Sequence, residues 1–338
     1  MEAPALATLR QVAAAVGKGD AAAARIVALE AAIGADLARV DADLARALDG
    51  VAEPARSASR HLVGAGGKRV RPSCVLVTSR VMGEGGATAA RFPLAAAAEL
   101  IHSATLLHDD VIDDGRERRG LPAPRVLWGN LVSVLSGDYL LVRSLELVAS
   151  ANVAHVLDDL LATLRALVEG EVLQLRGRDL WDLDVERYLA VVHGKTASLF
   201  RWSARAGARA AGAPSDVVDA LGEYGEHLGV AFQVTDDVLD FDGDPAALGK
   251  AVLSDLREGK ATLPLLEAAR REPRVAESLQ GDPATLVDVV RRSGGVEAAR
   301  EFARAEANRA VACLTRVPAG PVASVLASLA QTVVSRAK

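Results

Sequence analysis

Two stretches of this 338-residue chain end in clustered carboxylates. In IHSATLLHDDVIDD, Ile101 to Asp114, an apolar pattern of helical spacing runs into Asp109, Asp110 and Asp113. Asp109 and Asp113 are four apart, so on a helix they project from one face, one turn from each other. Like charges at that spacing repel, and a divalent cation offsets the repulsion. Magnesium takes oxygen ligands, keeps several waters and binds through one or two carboxylates plus substrate phosphates. A single such cluster reads equally well as the solvated face of a helix. The segment GVAFQVTDDVLDFDGD, however, repeats the arrangement at Asp236, Asp237 and Asp240. Two such sites embedded in apolar residues are hard to account for by solvation. Facing each other across a cavity, they would form an array that is untenable without several metal ions and is suited to holding a diphosphate.

Phosphate oxygens not bound to metal call for Arg, with its planar fork, and Lys, with its point charge. Gly66, Gly67, Lys68, Arg69, Val70, Arg71 and Pro72 form a basic glycine turn closed by proline. On its own this string is also compatible with a basic surface loop. Arg118 and Arg119 follow the first aspartates, Lys195 and Thr196 lie in VVHGKTASLF, and Lys250 and Lys260 flank GKAVLSDLREGK. A lysine beside a threonine in apolar surroundings, with no acid close in sequence, favours an oxyanion partner.

These residues need long helices to position them. Apolar residues recur at helical spacing from Leu6 to Val16, from Ile26 to Leu48, and then almost continuously to the C-terminus. Glycine and proline punctuation at Gly64 to Pro72, Gly83 to Gly86, Gly115 to Pro124, Gly177, Gly212 to Pro214, Asp242 to Pro245 and Pro318 to Pro321 bounds roughly a dozen helices. No stretch alternates like a strand for long. The expectation is an all-α, single-domain helical bundle around a deep central cavity over residues 25–338, preceded by an amphipathic helical extension over residues 1–24.

Composition excludes several classes. Half the residues are hydrophobic but only 3% are aromatic, so the apolar content is largely Ala, Leu and Val, and Ala is the strongest helix former. A net charge of -5 gives no footprint for nucleic acid. Cys74 and Cys313 have neither zinc-site nor disulfide-framework spacing and read as small core residues. No signal peptide or membrane span is evident, which predicts a cytoplasmic protein without stable membrane insertion.

Together GGKRVRP, the HDDVID run with Arg118-Arg119-Gly120 after it, WGNLVSVLSGDYLL, Lys195-Thr196, FQVTDDVLD and SDLREGKATLPL resemble, in order and spacing, the trans-isoprenyl diphosphate synthase family, over roughly residues 25 to 330. The resemblance implies an all-α bundle around a deep cavity, a homodimer, and magnesium, three ions in all. It implies that Asp109, Asp113 and Asp236 are direct metal ligands, with Asp110, Asp237 and Asp240 as supporting carboxylates. Lys68, Arg71, His102 and Arg119 match the positions that bind isopentenyl diphosphate. Arg118, Lys195, Thr196, Gln233, Lys250 and Lys260 match those that bind the allylic diphosphate or close over it. Arg116 stands where many relatives carry an acid, and Leu253 where a small residue is usual. Neither change removes a ligand.

The implied reaction is ionisation, condensation and elimination, with the released diphosphate taking the final proton. His108, beside the first aspartate, reads as a polar residue orienting the cluster rather than a base. Product length depends on the helix carrying Asp109. An extended isoprene unit is about 5 Å, close to the roughly 5.4 Å helical pitch, so each turn accommodates about one unit. Ala104 and Thr105 occupy the first turn upstream and Ala97 and Ala98 the turns beyond, all small. A long-chain product, about six to ten units on that spacing, is expected. The alternatives are a short-chain farnesyl or geranylgeranyl diphosphate synthase, a class I terpene cyclase, which would lack the basic glycine turn and the second DDxxD, or a subunit of a heteromeric synthase, which would have lost aspartates or arginines.

Overall fold

A computed structural model describes residues 21–83, 88–177, 183–242, 259–275, 279 and 283–335. Lys250, Leu253 and residues 1–20 of the expected N-terminal extension lie outside the described residues. The described helices are α1 (Ala21–Ala47), α2 (Ala55–Gly64), α3 (Val70–Thr78), α4 (Arg91–Ile112), α5 (Pro124–Trp128), α6 (Asn130–Ala151), α7 (Val156–Gly177), α8 (Val185–Val192), α9 (Ser198–Ala210), α10 (Ser215–Asp242), α11 (Leu263–Arg271), α12 (Pro283–Arg292), α13 (Gly295–Cys313) and α14 (Pro321–Ser335). A single π-helical turn, His193–Ala197, joins α8 to α9. Residues 21–24 belong to α1 without a break.

The chain divides into two compact units. The first contains the described residues up to Leu160, Trp202–Gly222 and Leu314–Leu329; the second contains Leu161–Arg201, Glu223–Cys313 and the described residues from Ala330. In the first unit, α4 packs along α6 through small side chains. Ala95, Ala96, Ala97, Ala98, Ser103 and Ala104 of α4 are buried, as are Ser133, Ser136, Gly137 and Ser144 of α6. Such residues let backbones approach closely, and the Ser133 hydroxyl donates to the carbonyl of Leu107 at 2.8 Å. The opposite face of α6 exposes Leu131, Val134, Leu135 and Val142, Leu131 at 73%. Cys74 and Cys313 are both buried thiols.

The one sheet among the described residues is a hairpin that sequence periodicity did not anticipate. Its strands β1 (Glu117–Arg118) and β2 (Leu121–Pro122) are antiparallel, with Arg118 opposite Leu121. Arg119 (φ 56°) and Gly120 (φ 74°) form the connecting turn. Positive φ at both central residues is the geometry whose twist matches a two-residue hairpin.

The second unit has its own core, formed by Val192, Ala197, Val230, Val234, Val238, Phe241, Leu263, Leu265, Val290, Val296 and Ala299. These residues come from α8, the π turn, α10, α11, α12 and α13, and they anchor the helix that carries Asp236, Asp237 and Asp240.

Candidate active site

The first aspartate cluster closes α4. Asp109 and Asp110 lie in the last turn and Asp113 is the C-cap, its backbone N–H bonded to the Asp109 carbonyl at 2.8 Å. The negative end of a helix dipole is an unfavourable place for three carboxylates, so the position demands cations. Asp110 is buried, and Arg118 reaches its Oδ1 through Nε at 2.9 Å and Nη2 at 2.6 Å. Burial raises the Asp110 pKa above its ordinary value, with Arg118 opposing the shift. Asp110 Oδ2 is buried without a hydrogen-bond partner. Arg118, which the resemblance assigns to the allylic diphosphate, donates to a carboxylate of the cluster in this structure. His108 lies within 3.2 Å of the Val134 carbonyl and 3.3 Å of Asp138, so it ties α4 to α6.

Next to this cluster, the glycine turn and the hairpin meet. The Arg119 guanidinium donates to the Leu62 carbonyl at 3.1 Å and to the Gly66 carbonyl. It lies close to Gly67: a Cβ there would be 3.0 Å from Arg119 Nη2, so a side chain at this position would shift the guanidinium by a few tenths of an ångström. Glu99 was not singled out in sequence, yet its carboxylate sits 2.5 Å from Arg69 Nη1 and 3.6 Å from Arg119 Nη2. Arg69 is also bound to Asp41 at 3.1 Å. Lys68 and Arg71 are partly exposed at the same turn. His102 lies one turn beyond Glu99 on α4. Burial, reinforced by Arg71, Arg119, Arg118 and Arg69, holds its pKa well below the usual histidine value, so the ring is neutral. Lys68, Arg71, His102 and Arg119 all lie in the first unit.

In the second unit, Tyr188 donates to Asp237 Oδ2 at 2.5 Å and Gln233 Nε2 donates to Oδ1 at 2.8 Å. Thr196 in turn donates to Gln233 Oε1 at 2.9 Å. Lys195 forms an ion pair with Glu171 of α7. That acid is 24 residues away in sequence, on a separate helix. The π turn that carries Lys195 fits against α7 because both helices have glycine at the crossing: a Cβ on Gly194 would lie 2.9 Å from the Ala166 carbonyl oxygen. Lys195, Thr196, Gln233, Asp237 and Lys260 line one cavity of about 190 Å³, together with Arg187, Tyr188 and apolar Leu173, Val191 and Val192. A lining that combines two lysines with apolar side chains suits an anion attached to a hydrocarbon.

Hard carboxylate oxygens fit magnesium. Among the described residues no three acidic, histidine or cysteine side chains converge as a preformed cage. A divalent ion here would therefore take one or two carboxylates of a cluster and complete its shell with phosphate and water oxygens.

Of the two positions expected to set product length, Ala104 has no exposed surface and belongs to the close-packed core, whereas Thr105 is partly exposed. The helical period puts adjacent residues on different faces. Thr105 is the one of the pair next to open space.

Residues 53–291 match the polyprenyl synthetase family. The chain is 36% identical over 311 residues to the octaprenyl diphosphate synthase of Escherichia coli (strain K12), covering 89% of this chain and 96% of that one. It is 36% identical over 302 residues to heptaprenyl diphosphate synthase component 2 of Geobacillus stearothermophilus, covering 87% and 94%. Among solved structures, polyprenyl synthase from Caulobacter crescentus CB15, complexed with calcium and isoprenyl diphosphate, superposes with a TM-score of 0.87 at 38% identity, over 92% of this chain and 98% of that one. The all-helical fold of those enzymes, the two aspartate clusters at helix ends and the cations grouped with them leave one conclusion: this chain belongs to the polyprenyl synthetase family.

Proposed function

We infer that this chain is a trans-prenyltransferase that condenses isopentenyl diphosphate with allylic diphosphates to make a long-chain polyprenyl diphosphate. The observation that carries the reading is the pairing of two complete aspartate clusters with separate sets of cations, in a chain similar along most of its length to octaprenyl and heptaprenyl diphosphate synthases.

Asp109, Asp113 and Asp236 are the proposed metal ligands, and Arg118, Gln233 and Tyr188 orient the supporting carboxylates Asp110 and Asp237. Magnesium, when bound, supplies charge stabilisation for the leaving diphosphate. Lys195, Thr196, Gln233 and Lys260 bind the allylic diphosphate, and the lysines take up the charge that develops as it departs. This is stabilisation by groups already in place. The apolar wall of Leu173, Val191 and Val192 excludes water from the allylic cation. Lys68, Arg71, neutral His102 and Arg119 hold isopentenyl diphosphate so that its double bond attacks that cation. The displaced diphosphate accepts the proton lost at the end. Asp240, buried one turn after Asp236, supports the second cluster.

The exposed apolar face of α6 supports a homodimer, because Leu131, Val134, Leu135 and Val142 form a stripe that a second copy would cover. Among the described residues no helix is long and apolar enough to cross a membrane. The proposed place of action is the cytoplasm, on the ground that both substrates are water-soluble anions. The test is incubation of the pure protein with labelled isopentenyl diphosphate, each allylic starter and magnesium, followed by sizing of the products. Release of six units or more is expected; products of only three or four units would overturn the long-chain reading.

A further inference from the structure

Glu99 stands apart from the groups assigned so far. Its side chain is 3% exposed, that of Arg69 2% and that of Arg119 18%. A carboxylate this deeply buried is costly unless paired, and two guanidiniums this close repel unless something lies between them. Glu99 meets both conditions at once through one oxygen, Oε1, which lies 2.5 Å from Arg69 Nη1 and 3.6 Å from Arg119 Nη2. Arg69 is itself fixed by Asp41, by the Val63 carbonyl at 3.2 Å and by its left-handed backbone (φ 47°). It is an anchored cation that holds the carboxylate in place. Arg119 lies in the two-residue turn of the hairpin, and its guanidinium meets Glu99 through Nη2 and the backbone oxygens of Leu62 and Gly66 through Nη1.

We propose that Glu99 is a positioning residue for isopentenyl diphosphate: backed by Arg69, it fixes the Arg119 guanidinium in the pose that receives the substrate's diphosphate. The inference rests on the assignment of Arg119 to that substrate made above. A carboxylate near an anion site has two opposed effects, since it orients the arginine and also repels the ligand. Arg69 and Arg118 repel Arg119, and without Glu99 that repulsion is met by the Leu62 and Gly66 carbonyls but no longer by a carboxylate beside the guanidinium. Orientation therefore outweighs repulsion, and removing the charge should weaken binding.

Glu99→Gln keeps the shape and one acceptor oxygen, and Glu99→Asp keeps the charge with a shorter reach. The Michaelis constant for isopentenyl diphosphate should rise about tenfold in Glu99→Gln, and by less in Glu99→Asp, while that for the allylic diphosphate and kcat move by less than twofold. Calorimetric titration of isopentenyl diphosphate into the magnesium-loaded protein without allylic substrate gives an activity-independent reading of the same change. Arg119→Lys is measured alongside, with the double variant, whose effect should fall short of the sum of the singles because the residues act as one unit. An unchanged or lower constant in Glu99→Gln, or equal changes for both substrates, overturns the inference. If Glu99→Gln does not fold, Glu99→Asp decides by the same criteria. If Arg119→Lys leaves the constant for isopentenyl diphosphate unaltered, the assignment of Arg119 fails and takes the inference with it. If Arg119→Lys raises that constant and neither Glu99 variant does, only the role of Glu99 fails.

Discussion

A Cβ atom on Gly170 would sit 2.7 Å from the backbone nitrogen of Lys195. The atom in the way is backbone, so a side-chain rotation cannot relieve the clash. Gly170→Ala should therefore push the π turn off α7 and move Lys195. Alanine's better helix propensity, about 1 kcal/mol, is outweighed by overpacking at about 1–3 kcal/mol. The expected result is a modest fall in thermal midpoint and a rise in the Michaelis constant for the allylic diphosphate, with that for isopentenyl diphosphate little changed.

Replacing Asp109 or Asp236 by Ala should lower turnover by about three orders of magnitude, the scale seen when a preorganised group acting on developing charge is lost. Both side chains are partly exposed, so the far-UV circular dichroism and thermal midpoint should stay near those of the parent. Near-normal turnover in magnesium for either variant would count against the two-cluster site.

Product length separates Thr105 from Ala104. Thr105→Phe should shorten the product, because the ring enters open space one turn above Asp109. Ala104→Phe should destabilise the protein by about 1–3 kcal/mol, since that position is already filled. Chromatography of the products and thermal melts of both variants distinguish the roles; a Thr105→Phe enzyme with unaltered products would place the floor on another helix.

Neutral His102 makes stability depend on pH with a definite sign. Its folded pKa is lowered by burial and by the surrounding arginines, so the unfolded chain takes up the extra proton on acidification. The contribution is complete above the unfolded value of about 6.5 and declines as pH falls below it, by at most about 1.4 kcal/mol per pH unit. Melting the parent and His102→Gln between pH 5 and 7.5 should show a shallower decline in the variant. Parallel curves would mean that His102 takes up its proton equally in both states.

The helices and the positions of both aspartate clusters were legible in sequence, because helical periodicity and i, i+4 spacing are local. So was the grouping of Thr196 and Gln233, though only through resemblance. What stayed hidden depends on contacts between distant segments. Glu99 sits inside an apolar run, and nothing local says that Arg69 and Arg119 both approach its carboxylate. Glu171 directly follows Gly170 on α7, a different helix from the turn that carries Lys195, so nothing near Lys195 in sequence points to it. Ala104 and Thr105 are neighbours of similar size, and only packing tells which one is walled in. The hairpin did leave a trace, an Arg-Gly pair between glycine- and proline-rich flanks, but its strands are too short for alternation to register.

That hairpin sends two consecutive arginines in different directions: Arg118 to Asp110, Arg119 to the carbonyls of Leu62 and Gly66. One residue more or less between Asp113 and the turn would leave both arginines in the chain and misdirect both, because each would leave the backbone on the side its neighbour now uses. Loop length is thus as much a condition of this arrangement as the identity of the two arginines. A relative that keeps every charged residue but differs here in length would match by residue type and still lack these two contacts.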